Sequence, residues 1–177
     1  MATLRDLGYE LNDFNLWDGW IFLEESSAER IIRDHLIIWF APGLAPRVRT
    51  MSTDGNAGIE PAFDDFHRFV RFTHLEPAYR GRAWVLVDGD GPGHEIVARL
   101  RGKYWTNWDT SRFQAFSEAN FEAYYPSRSS EARIAALAEP NKQTRREKKR
   151  RLLEEVRSWI ERIRNEPGPS SSCLPPR

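Results

Sequence analysis

The chain has 177 residues, with 26 Lys or Arg balanced by 26 Asp or Glu, enough for one domain with a real core and too few for two large ones. The formal net charge of zero excludes a global attraction to polyanions, and a single cysteine, Cys173, excludes an intrachain disulfide framework or thiolate metal site. With no apolar run near about 18 residues and no charged leader followed by an apolar core, the sequence predicts a soluble, cytoplasmic protein with no membrane partner.

Residues 1–18 are mixed and poorly periodic, and read as a lead-in segment. "GWIFL" (19–23) is a short apolar run of the kind a buried strand makes, and it ends in Glu24 and Glu25. From Ser27 the apolar residues fall about four apart, at Ile31/Ile32, Leu36 beside His35, and Trp39/Phe40, which predicts one face of a helix stopped by "APG". "RVRTMST" (47–53) alternates as a second strand. "DGNAGIEP" then predicts a turn that delivers Pro61 to the first turn of a helix, where its missing N–H costs nothing. Phe63, Phe66, Phe69 and Val70 continue at helical spacing until "EPAYRGR" breaks the pattern.

"AWVLV" (83–87) predicts a third strand, apolar throughout as in a parallel sheet covered on both faces. "GHEIVARLRGKY" is a third helix and "FQAFS" (113–117) a fourth strand. Strands alternating with helices at this spacing predict an α/β fold with right-handed crossovers and a mostly parallel, four-stranded sheet. Beyond come "FEAYYP", a helix near 130–138, and a long helix over about 144–163 with Leu152, Val156, Trp159, Ile160 and Ile163 on one face. Residues 142–164 carry ten Lys or Arg against four Glu, so the zero balance hides a basic C-terminal part and an acidic remainder. Residues 165–177 hold too little apolar content to fold and are expected to be disordered.

In an open parallel sheet, ligands bind outside the carboxyl ends of the strands. Glu24/Glu25 leave the first strand, and Asp88 and Asp90 leave the third in "VLVDGDGPG". Alternation in an extended segment puts Asp88 and Asp90 on the same face. Two unit charges about 4 Å apart repel by roughly 4 kcal/mol at an effective dielectric near 20. Either a proton is shared or a cation is bound. Oxygen donors without Cys favour Mg²⁺ or Mn²⁺ over Zn²⁺.

Other readings of "DGDGPG" compete. An EF-hand loop fails, because its fifth and twelfth positions are Pro92 and Arg99. A dinucleotide fingerprint fails, because the glycines are evenly spaced and preceded by acids. A haloacid-dehalogenase-type phosphohydrolase, with Asp88 as nucleophile, stays open. So does a pair of solvated loop acids in which Asp90 caps the following helix. Glu24 and Glu25 can equally begin a helix, where acids suit the dipole. The rings of Phe121, Tyr124 and Tyr125 fit a core better than a base-stacking surface. Of the histidines, only His94 lies near the proposed site, and one at a helix start is more often structural than a ligand.

The order of an acid after the first strand, "DGD" after the third, "FEAYYP" after the fourth and then "KQTRREKKRRLLEEV" resembles the Toprim domain of the OLD-family (overcoming lysogenization defect) ATP-dependent nucleases, over roughly residues 7–159. The resemblance implies a Toprim-like (Rossmann-like) catalytic domain over residues 19–126 with a basic helical extension over 127–164. It further implies two-metal hydrolysis of DNA phosphodiesters with Mg²⁺ or Mn²⁺, an ATPase domain or subunit as partner, and a setting such as phage defence. It leaves a homodimer open. Carried over, Asp88 and Asp90 match the paired aspartates and Glu122 the later acid.

The family's first motif, Glu-Gly-any-Ser/Thr-Asp/Glu, fits "EESSAE" in two ways. Starting at Glu25 places Glu29 at the final acid; starting at Glu24 keeps Ser27 but puts Ala28 there. Glu25 is the preferred ligand or general base, with Glu24 the alternative ligand, and neither fit has the glycine. Lys142 matches a basic position that steadies the transition state. The missing glycine also keeps a catalytically impaired DNA- or partner-binding module in play.

Overall fold

The computed structural model describes residues 17–53 and 55–165; most of the lead-in and the C-terminal tail, with Cys173, lie outside them. The chain divides into two compact units, Met1–Tyr124 and Tyr125–Arg177.

The first unit is α/β. Its strands β1 (Gly19–Leu23), β2 (Val48–Ser52), β3 (Ala83–Val87) and β4 (Phe113–Ala115) form a four-stranded sheet in the order β2-β1-β3-β4. All pairings are parallel, with Leu23 opposite Ser52, Leu23 also opposite Leu86, and Val87 opposite Ala115. The helices flank the sheet in a Rossmann-like arrangement. β2 and β4 are shorter than the sequence predicts, because the ladder ends where β3 ends at Val87 and where β1 ends at Leu23.

Between β1 and β2 the chain forms α1 (Ser26–Ile31), a π-helical stretch (Ile32–Leu36) and α2 (Ile37–Phe40). Ala28, Ile31 and His35 are buried, but Trp39 is 39% and Phe40 79% exposed, so the predicted single buried face ends at His35. The cause is length. The fifteen helical residues from Ser26 to Phe40 span about 22 Å, whereas the five residues of β1 span about 17 Å. The last turn overshoots the sheet and rests on the helical pieces flanking it.

The helix α3 (Asn56–Phe72) follows β2. Pro61 lies inside it rather than in its first turn, which corrects the sequence reading. The helix begins earlier because Gly58 lets its backbone rest on β2's exit: a Cβ there would lie 2.4 Å from the Thr53 carbonyl oxygen. Ile59, Phe63, Phe66 and Val70 form its buried face. "EPAY" is a short helix, α4 (Glu76–Tyr79), not only a break, since Pro77 sits in its first turn and forfeits no internal bond.

After β3 comes α5 (Gly91–Tyr104). It shares one core with α3 and the sheet, built from Phe22, Val85, Val87, Phe113, Ile96 and Leu100 among others. Phe63 is its centre, with ring centroids 5.0–5.4 Å from Phe22, Tyr104, Trp108 and Phe113. Each buried Phe contributes about 1.5–3 kcal/mol. The two faces of β3 differ: Ala83, Val85 and Val87 are buried while Trp84 and Leu86 are half-buried. The expectation of full cover on both sides thus holds for one face only, because α1 offers a shorter buried stretch than α3 and α5 together.

The second unit contains α6 (Ser130–Leu137) and α7 (Lys142–Asn165), which pack on each other. Leu152, Leu153, Val156 and Ile160 are the buried residues of α7. Ile163, predicted on the apolar face, is 38% exposed, because the eight residues of α6 cover only about 12 Å of its partner. Among the described residues no helix is long and apolar enough to cross a membrane.

Candidate metal centre

The strand order reverses between β1 and β3: from β1 the chain goes to β2 on one side, then returns to β3 on the other. Such a switch point opens a crevice at the carboxyl ends of the two strands. Glu24 and Asp88 are the first residues past those ends.

Glu24 is buried, and its Oε2 accepts the Asp88 backbone N–H at 3.0 Å. Asp88 is buried too, and its Oδ1 accepts the Phe121 N–H at 3.1 Å. Glu122, the next residue, lies in a 3₁₀ turn (Phe121–Tyr124) and is only 1% exposed. That turn is seated by ring contacts among Phe116, Phe121 and Tyr124. The Tyr124 hydroxyl also lies 2.7 Å from Ser117 Oγ and accepts the Glu118 N–H. Phe121 and Tyr125 are buried as expected of core rings, whereas Tyr124 is 47% exposed.

Three carboxylates from β1, β3 and the segment after β4 are thus buried close together. The Asp88 carboxyl is pushed up to about 7 by burial first, then by the negative charges of Glu24, Glu25 and Glu122, with the Phe121 N–H acting the other way. Burial disfavours the charged form, and the neighbouring acids add like-charge repulsion.

The other predicted residues separate. Asp90 caps α5, with Oδ1 accepting the Gly93 N–H at 2.8 Å. It is not among the charges acting most strongly on Asp88. The chain turns at Gly89, so the extended run that would place both aspartates side by side ends at Asp88. Glu25 is half-buried, with Oε2 accepting from Ser27 Oγ at 3.1 Å. Glu29 points at β2 instead, accepting from Thr50 Oγ1 at 2.8 Å and Ser52 Oγ at 2.7 Å and pairing with Arg33 at 3.2 Å. Thr50 and Ser52 were not picked out from sequence; their alternation on one face of a strand was the available signal. Lys142 is exposed at the first residue of α7, in the second unit. His94 is exposed, and its N–H bonds the Asp90 carbonyl at 3.0 Å as part of the helix start.

Among the described residues no three His, Cys, Asp or Glu side chains stand as a formed metal cage. The donor chemistry nevertheless fits a hard divalent cation: the groups are carboxylates, they are buried, and they repel one another. No protein-family model matches the chain, and comparison with curated proteins and with solved structures gives no match.

Proposed function

We propose that the chain is a Toprim-type, divalent-metal-dependent nuclease that hydrolyses DNA phosphodiesters, working with an ATPase domain or subunit. The observation that carries this reading is the burial of Glu24, Asp88 and Glu122 at the switch point of a parallel sheet, with Asp88 pushed up to about 7. A buried like-charged cluster costs folding stability, and a Mg²⁺ or Mn²⁺ ion offsets that cost. Glu24, Asp88 and Glu122 are the residues that would hold the first ion. Bound divalent ions supply an activated water and charge stabilisation for an in-line displacement. Glu25, half-buried beside them, takes the proton of the attacking water.

The test is cleavage of supercoiled plasmid by the full chain with Mg²⁺ or Mn²⁺ against EDTA. Cleavage is expected only with metal. Glu24→Gln is expected to lose calorimetric Mn²⁺ binding. Glu25→Gln is expected to keep binding and cleave about 100-fold more slowly. A parent protein inert with both metals, or two variants as active as the parent, overturns the proposal.

A second reading has its own support. Glu24 and Glu29 are already committed to protein donors, as suits a binding module whose cluster carries protons rather than ions. DNA binding with no heat of Mn²⁺ binding decides for that module.

A further inference from the structure

We infer that residues 142–151 of α7 are a docking surface for the phosphate backbone of duplex DNA, an inference that rests on the nuclease reading for its choice of polyanion. This stretch holds seven Lys or Arg and one acid, Glu147. Its electrostatics oppose helix formation twice. Like charges recur three and four residues apart, as at Lys142, Arg146 and Arg150, and each such pair destabilises an isolated helix by a few tenths of a kcal/mol. The cations also crowd the amino-terminal half, where the helix dipole is positive and where the first turn has no acid to offset it.

Internal pairing relieves part of this, at Lys148 and Lys149. Lys148 reaches Glu139 at 2.6 Å, but Glu147 accepts from Gln143 at 3.2 Å and forms no ion pair with a described residue. Arg146, Arg150 and Arg151 are exposed and form no ion pair with a described residue. Arg146 and Arg150, one turn apart, flank a shallow open hollow shared with Gln143 and Glu147.

None of these residues is buried in the packing of α7. All its buried side chains, Leu152 to Ile160, lie beyond the basic stretch. The buried side chains of α7 thus belong to its carboxyl half, and the amino half displays repulsion that a polyanion would relieve. A lipid surface is a poor match, because residues 142–151 offer no apolar side chain to insert.

Fluorescence anisotropy with a labelled duplex in EDTA, repeated over a salt series, tests this without cleavage. Arg146→Gln/Arg150→Gln/Arg151→Gln is expected to weaken binding about tenfold or more and to lower the log–log salt slope by about 3, one released counterion per lost contact. The matching triple Lys variant keeps the parent slope, and the thermal unfolding of both equals or exceeds the parent's. A Gln variant with the parent's affinity and slope overturns the inference, as does a parent that prefers polyglutamate to duplex. The two proposals fail separately. A parent that binds duplex with the full slope but never cuts sinks the nuclease, and one that cuts while the Gln variant binds unchanged sinks the docking surface.

Discussion

In EDTA at pH 8, Asp88→Asn unfolds about 4–8 °C above the parent; with Mg²⁺ in place of EDTA it gains no stability and cuts DNA at least about 1,000-fold more slowly than the parent. The stability half follows from the raised carboxyl at Asp88. A folded-state value near 7 against an unfolded value near 4 means that the folded chain holds this proton more tightly. The associated stability is fully present below about pH 4 and is lost as pH rises toward 7. At pH 8 the parent carries a buried charge among Glu24, Glu25 and Glu122; the amide does not. After allowance for solvent screening, the difference is about 2 kcal/mol. Asparagine keeps an oxygen to accept the Phe121 N–H, so the gain is not spent on an unsatisfied donor.

Mg²⁺ reverses the ranking, because binding to the folded parent alone adds about 2.7 kcal/mol at a hundred times the dissociation constant. Thermal melts from pH 4 to 8, with and without metal, read all of this. A variant melting at or below the parent in EDTA, or rising with Mg²⁺ as the parent does, shows that Asp88 is neither strained nor a ligand.

The parts of this site that were legible in the sequence are those set by short-range pattern. "GWIFL" and "AWVLV" are strands because they are brief apolar runs bounded by acids, and their parallel pairing follows from the helices between them. The arrival of Glu24 and Asp88 at one crevice follows from that pairing alone. The choice between Glu24 and Glu25 was not legible, because adjacent residues at a strand end differ only in which side of the sheet they leave. In the structure Glu24 continues the strand's alternation into the crevice and meets the Asp88 amide, while Glu25 lies at the start of α1.

Asp90 shows the opposite limit. A carboxylate three residues before a backbone N–H in a first helical turn is also an N-cap, and the cap takes one of its oxygens. The exposure of Trp39 and Phe40 was hidden for another reason: periodicity gives the face of a helix but not where the sheet beneath it ends.

The glycines of "DGDGPG" give the second large effect: Gly89→Ala and Gly93→Ala each lower stability by about 3 kcal/mol or more, whereas Gly91→Ala changes it by less than about 0.5 kcal/mol. A Cβ on Gly89 would stand 2.2 Å from the Phe116 carbonyl oxygen and 2.5 Å from that of Glu118. The same residue donates its N–H to Glu118 at 2.9 Å, so it cannot retreat without breaking the contact between β3's exit and the segment that carries Glu122. A Cβ on Gly93 would stand 2.0 Å from the Asp88 carbonyl oxygen, while Gly91 has nothing within 4 Å.

Every neighbour closer than 3.0 Å is backbone, which no side-chain rotation relieves. Two of the three glycines therefore let the start of α5 and the 116–118 segment close on Asp88, and the third is free of contacts. Urea denaturation of the three variants separates this account from one in which the glycines serve a flexible loop. Equal losses at Gly89 and Gly91 would falsify it. The gain in apoprotein stability from Asp88→Asn and the loss from Gly89→Ala then measure two sides of one arrangement: backbone packed tightly enough to bury a carboxylate that has no cation of its own among the described residues.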